Sequence, residues 1–481
     1  VVFMGDGHHL AINWQLAYQT RTINNDYKLF TNNVNNPITP RDFKGKAFAP
    51  VIPSFQYAYN KGKWSFQANF SLTGGGGKCT FDNGLGSFEK IVSETAIAAC
   101  GLAGVVDQTL GNTLGQQGME MFTSDKAFGK TGKYSFNSYM HGRQYYYGLS
   151  VGAAYKFCDN FSAFLGVRGV YALTNYYGYV ENINVGNMPL YKVLDPTKEN
   201  AANIELSCDQ TGVGFTPIIG VDYKTGRWNF SAKYEFKTRI RLKNKSVNQT
   251  PSIGNLPANL ANQMTGILTA RYQQAGLPLE QAKQQAENTT NTVLSDPKVG
   301  ATMMGLKTQF DQKLNKAIGE YEDGKKIAGD IPGYLALGIG YSPVDAVRVN
   351  VGFHWFDDKN ATSYNNRQEK LKRGTLEYNA GVEVDVNKKI TLSTGWQNTN
   401  YGLSDEYMDD KSFVVSSNSA AIGGVYHINK KMDLNVAYFH TFYQHKKTSE
   451  TVQLAADKSV VYNSDYTRNN NVFAVGLDIN F

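Results

Sequence analysis

The sequence predicts an all-β protein, a transmembrane antiparallel β-barrel of about 14 strands with long, partly helical extracellular loops. Three observations carry this. Apolar and polar residues alternate with period two in one segment after another, as they do in strands with one face in lipid and one in the lumen. The connections fall into two classes, short turns and long loops, which is the layout of a membrane barrel. The composition is rich in Tyr (30), Phe (26) and Gly (47), with only 13 Pro and a mean hydropathy of −0.40. The longest uncharged apolar stretch, AIAACGLAGVV at 96–106, is shorter than the roughly 20 residues a spanning helix needs. No transmembrane helix is therefore expected. A soluble all-β protein matches the composition, but it would not segregate its loops by length.

The strand candidates come in pairs joined by short turns. The first is 8–23. The second, 48–60, turns through KGK into 64–75. Segment 144–157 turns into 161–180, and 212–224 turns through TGR into 228–243. The second half repeats the scheme with 333–344 and 347–358, 375–386 and 390–403, then 412–428 and 432–446. The C-terminal segment VFAVGLDINF closes the set. An even count with both ends on the short-turn side leaves no open sheet edge. One domain is expected over 1–481, with helical loop insertions at about 76–143 and 244–332. The long connections also include 181–211, 359–374, 404–411 and 447–470.

Aromatic residues gather beside the short turns: Tyr57, Tyr59, Trp64, Tyr155, Phe157, Phe161, Tyr223, Trp228, Tyr341 and Phe481. Rings with one wet end suit a membrane interface. The alternation also assigns faces, because a shift of one residue turns every side chain over. With Phe481 toward lipid, Asp478 and Asn480 face the lumen. By the same reading Asn13, Gln15, Gln19 and Arg21 of the first strand point inward, as do Arg168 of the fifth and Arg348, Asn350 and His354 of the ninth. The seventh strand is expected to send Lys233, Glu235, Lys237, Arg239 and Arg241 inward. A lipid-facing Arg or Lys near mid-bilayer costs roughly 2–4 kcal/mol, which this phase avoids. Most of these lumen charges are expected to pair across the barrel. Arg168, Lys233, Lys237, Arg239 and Arg348 are the candidates for holding the polar head of a ligand.

Within the long loops, 88–110 and 256–325 have helical spacing. Met303, Leu306, Phe310, Leu314 and Tyr321 fall on one helix face. That stripe must bury itself against other loops or a greasy ligand, so Met303, Leu306, Phe310 and Leu314 are the candidates for hydrophobic capture.

Motifs for chemistry are weak. GLSVG at 148–152 has the G-x-S-x-G form, but Ser150 lies mid-strand rather than on a strand-to-helix elbow. GGGGK at 74–78 is followed by Cys79 and lacks the first Gly of a phosphate loop. No HExxH or CxxC occurs, so no catalytic residue, metal or cofactor is assigned, and the protein is not expected to be an enzyme. The net charge of +7 is dispersed, which argues against nucleic acid. Cys158 lies in a short turn, apart from Cys79, Cys100 and Cys208. Cys158 is therefore not expected to pair; among the other three, Cys79 with Cys100 is the favoured bridge, and free thiols are an equal alternative. The run Gly74, Gly75, Gly76 and Gly77 ends a membrane strand, where glycine permits a kink or bulge that would open the wall sideways.

Fourteen strands, helical long loops, the stretches VVFMGDGHHLAINWQ and FAPVIPSFQYAYNKGKWSFQANFSLTGGGGKCTFDNGLGSFE, and the final aromatic together resemble the FadL/TodX family of outer-membrane transporters for hydrophobic compounds, in particular members from Bacteroides-type bacteria. The resemblance covers the whole chain and is most specific over residues 1–90. It implies an outer-membrane location in a Gram-negative bacterium and uptake of long-chain fatty acids or other hydrophobic molecules. It implies capture among the loops and release sideways at a kinked third strand, which maps onto Ser71–Lys78. Outer-membrane lipid, lipopolysaccharide and the barrel-insertion machinery are the implied partners of a monomer. The resemblance implies an N-terminal plug with an Asn-Pro-Ala motif just before the first strand, and the sequence begins just after that motif; an open lumen is the expectation if the plug is absent, and nothing functional follows if it is only trimmed. A porin-like or adhesive barrel, its loops making surface contacts, is the alternative.

Overall fold

Period-two alternation can be satisfied on both faces only if the sheet curls around its polar side. That is what the computed structural model shows. It describes residues 1–481 except 252 and 456, with only the backbone of 76 and 455. Fourteen antiparallel strands close into a barrel. They are β1 Gly7–Tyr27, β2 Arg41–Lys61, β3 Trp64–Phe81, β4 Tyr134–Lys156, β5 Phe161–Val185 and β6 Ile204–Thr225. Then come β7 in two segments, Trp228–Glu235 and Arg241–Gln249, and β8 in two, Lys326–Ala328 and Tyr334–Val344. The remainder are β9 Val347–Phe356, β10 Arg373–Asn387, β11 Ile390–Gly402, β12 Ser417–Asn429, β13 (Met432–Tyr443 and Lys446–Ala455) and β14 Lys458–Asn480. β14 returns to β1 in unbroken register from His9↔Asn480 to Tyr27↔Tyr462.

The outer face is apolar in the manner of a surface meant for lipid. Leu165 is 68% exposed and Phe215 70%, and Ile12, Phe66, Leu337, Val351, Leu392, Ile422 and Phe473 are exposed on other strands. At the short-turn end the rings meet in a belt. Trp64 and Tyr155 lie 4.7 Å apart, Trp228 and Tyr341 4.2 Å, and His8 and Phe481 5.2 Å. The phase set by Phe481 holds: Asp478 and Asn480 line the lumen.

Three expectations are corrected. The strands run past the apolar alternation, so the insertion expected at 76–143 narrows to 82–133, and the one at 244–332 begins after Gln249 and contains the strand Lys326–Ala328. Residues expected as a loop at 447–470 are a hairpin that continues β13 and β14. Above the membrane both strand faces are polar, so the period-two signal ends while the hydrogen-bonded ladder does not. In β7 the strand breaks at 236–240, and its register on β6 shifts by one residue between Ile218↔Glu235 and Thr211↔Lys243. That single extra residue inverts the face. Ile240 and Leu242 turn inward, against Val170 and Ala172, and Arg239 and Arg241 turn out. The inward assignment of Arg239 and Arg241 therefore fails.

Four helices cap the long-loop end: α1 Gly86–Leu114, α2 Leu256–Gln274, α3 Leu279–Leu294 and α4 Pro297–Ile318. α1 is long and apolar enough by composition to cross a membrane, although no apolar stretch of that length is evident in the sequence. It lies instead on the barrel mouth, with Val92, Ala96, Leu102, Val106 and Leu110 in a core shared with α2, α3 and α4. All four cysteines are free, so Cys79 and Cys100 do not pair.

Candidate functional site

The α1 helix is held over the barrel by buried carboxylates rather than by its apolar face alone. Glu89 accepts hydrogen bonds from Tyr134 Oη and Asn33 Nδ2, each at 2.9 Å, and pairs with Arg41. Glu94 accepts from Tyr27 Oη at 3.0 Å and pairs with Lys313 of α4 at 2.6 Å. Asp107 accepts the backbone N–H groups of Phe122 and Thr123. At the helix start, Asp410 from the β11–β12 loop accepts the Ser87 N–H at 2.9 Å. Burial and the neighbouring Asp409 push the Asp410 carboxyl up to about 6.

Beneath this cap runs a series of cavities. The first is an apolar slot of about 50 Å³ between α1 and α4, lined by Val92, Leu102, Val106, Leu306 and Phe310 among others. A second slot of about 50 Å³ shares Ile91, Val92 and Ile204 with the first and reaches Leu314, Met140, Tyr176 and Lys411. Those last three residues other than Leu314 also line a third cavity, of about 370 Å³, inside the barrel wall. The predicted capture stripe is thus placed: Leu306 and Phe310 in the first slot, Leu314 in the second, and Met303 packed against the adjoining core. Slots this narrow admit only a few water-sized groups, so a ligand must part the helices to enter.

The third cavity borders a stretch where the β2–β3 ladder is interrupted. β2 and β3 pair from Gly45↔Phe81 to Phe48↔Lys78 and again from Phe55↔Phe70 to Lys61↔Trp64, with no ladder between. Both strands contribute. On β2, Pro50 and Pro53 have no N–H to give. On β3, two single-residue bulges against β4 fall between Leu72 and Gly74 and between Gly75 and Gly77. Gly75 has φ +75, and a Cβ there would lie 2.0 Å from the Gln144 carbonyl oxygen. Only glycine fits. Gly74, Gly75 and Gly77 flank these bulges, and the backbone of Gly76 lies between them. Gly75, Gly77, Ala49 and Ile52 all line the cavity.

The lumen below is a polar cavity of about 950 Å³, with Val1, Val2 and Met4 on its wall. Ser150 lines it from mid-strand, opposite Asn69 and Arg168. The proposed head-binding cations there are mostly paired. Arg168 and Lys233 both meet Glu235, at 2.6 and 2.9 Å. Arg348 meets Asp385 at 2.6 Å and Glu383 at 2.9 Å. Lys237 donates to the Asn360 carbonyl at 2.7 Å, beside Asp330. Arg239 points to the outside. Sequence reasoning placed Arg21 inward but missed Arg468, its neighbour across the β1–β14 seam. Counting the alternation back from Phe481 as far as residue 468 would have found it.

A closed barrel with a lipid-facing exterior and a helical cap over one mouth defines a transmembrane β-barrel of the outer-membrane type. No family model and no curated protein matches the sequence. Among solved structures, a FadL homologue from Pseudomonas aeruginosa is similar over 100% of this chain and 92% of its own, with a TM-score of 0.57 at 14% identity. The toluene transporters TodX of P. putida (TM-score 0.49) and TbuX of Ralstonia pickettii (0.46) each match 100% of this chain and 91% of their own at 12% identity. The fold is that of the FadL-type barrel.

Proposed function

We propose that the protein is an outer-membrane diffusion channel for uptake of hydrophobic compounds, long-chain fatty acids among them. Ligand enters between α1 and α4, passes the second slot to the wall cavity, and leaves sideways between β2 and β3 beside Gly74–Gly77. One observation carries the reading: apolar slots in the cap share lining residues, one to the next, with a cavity lined by Ala49, Ile52, Gly75 and Gly77 from the unpaired stretch of the β2–β3 ladder. An alkyl chain gains about 0.8 kcal/mol for each CH₂ kept out of water. A route from slot to bilayer preserves that gain at every step. The FadL-type fold agrees with it. The polar lumen supports a porin-like alternative. Expression in a Gram-negative host lacking its own fatty-acid channel tests both. Uptake of radiolabelled oleate is expected. A correctly inserted barrel that admits small sugars but not oleate would overturn the proposal in favour of the porin.

A further inference from the structure

The break in β7 moves charge to the outside of the barrel. Unbroken alternation would have kept Arg239, Arg241, Lys243 and Lys245 in the lumen, and the shifted register turns all four outward. Lys243 then stands directly opposite Lys326 of β8, and like charges in register across two strands repel. Arg239, Lys243, Lys245 and Lys326 are all exposed, and among the described residues none of the four has an ion pair or a side-chain hydrogen bond. The nearby carboxylates have other partners. Asp330 pairs with Arg241 at 2.9 Å, and its side chain is 1% exposed. Asp209, opposite Lys245 on β6, accepts from Asn175 Nδ2 at 2.8 Å. Asp323 accepts the Ser246 N–H at 2.8 Å.

The height of these cations on the wall decides what they meet. The outward residues of β6 stay apolar from Tyr223 in the aromatic belt to Val213, and Thr211 follows. Those ten residues rise about 33 Å along a strand tilted by about 40°, and so about 25 Å across, the height of a barrel's apolar band. Continuing the β6–β7 register from Thr211↔Lys243 puts Arg241 opposite Val213 and Arg239 opposite Phe215, which are 62% and 70% exposed. The two arginines thus edge the band. Lys243, Lys245 and Lys326 stand just above it, on the side of the helical cap, at the level of the outer leaflet's headgroups. We propose that this outward face binds the phosphate groups of an outer-leaflet glycolipid, whose acyl chains lie against Val213 and Phe215. Ammonium and guanidinium groups pair with phosphate through charge-assisted hydrogen bonds, and a basic cluster at a membrane surface attracts anionic lipid. The span selects the kind of lipid. Arg239 to Lys245 covers about 20 Å of strand, more than one phosphodiester can reach. A glycolipid with several anionic groups on a broad head matches it. The site is independent of what the channel carries, so failure of oleate uptake would leave it standing.

The test titrates lipids into the full-length protein in detergent and counts bound copies by native mass spectrometry. The probes are bisphosphoryl lipid A, its dephosphorylated form and phosphatidylglycerol. Wild type is expected to hold bisphosphoryl lipid A at least tenfold more tightly than either of the others. The triple variant Lys243→Gln, Lys245→Gln, Lys326→Gln is expected to weaken it at least tenfold, and arginine at the same three positions to preserve it. Lys389→Gln, Lys430→Gln, Lys431→Gln removes as much charge from the short turns at the other end and is expected to change nothing. Heat-modifiable mobility on gels checks that each variant folds. Undiminished lipid A binding by the first triple variant, or an equal loss in the short-turn variant, would overturn the site. Equal binding of the dephosphorylated form would leave apolar contact alone and overturn phosphate recognition. Phosphatidylglycerol bound as tightly as lipid A would reduce the face to a general anionic-lipid surface and overturn the choice of glycolipid.

Discussion

Gly75 and Asp410 show how single residues set the two ends of the path. At Gly75 the backbone is left-handed and its missing Cβ leaves room for the Gln144 carbonyl. Gly75→Ala should cost about 1–3 kcal/mol through backbone strain and force β3 away from β4. We expect a lowered thermal midpoint and altered oleate uptake; wild-type values for both would refute this account of the bulge. Asp410 acts at the cap. Its folded pKa is raised to about 6 from the ordinary aspartate value, so the fold favours the protonated acid. Stability from this group is full below the unfolded pKa and is lost as pH rises through about 6. Hydrogen exchange in α1, corrected for intrinsic rates, should therefore show easier local opening at pH 8 than at pH 5. Asp410→Asn should flatten the difference, and an unchanged pH response in that variant would exclude Asp410 as its source.

The strands and helices differ in how much of them the sequence disclosed. Membrane strands alternate against lipid, so all fourteen are legible, as are the belt and the inward faces of β1, β5, β9 and β14. The break in β7 was not, because one inserted residue at 236–240 changes the face without changing composition. The glycine run marked the β3 side of the wall gap. The β2 side, Pro50 and Pro53, carries a signal that was present but unread. Helical spacing located α1 and, over 256–325, the segment that holds α2, α3 and α4, yet no local pattern reports that Asp410, far along the chain, caps α1. The gap itself can be stapled. A Cβ on Gly77 would lie 3.2 Å from the Ala49 Cβ, close to the distance a disulfide spans. Ala49→Cys with Gly77→Cys, in a Cys79→Ser background, should cut oleate uptake when oxidised and restore it on reduction. Uptake insensitive to the crosslink would rule out exit between β2 and β3.

For the molecule as a whole, polarity is distributed by compartment. Lipid sees apolar side chains, the lower lumen sees neutralised charge, and cations without a countercharge stand on the outer wall above the apolar band. The cysteines follow the same map. Cys100 and Cys208 are buried, Cys79 is half-covered inside the wall, and Cys158 is exposed in the turn between β4 and β5. The folded protein thus carries a native chemical handle on the rim opposite its helical cap. A bulky thiol reagent added to sealed vesicles would report, from one label on an unmutated chain, which way each molecule was inserted.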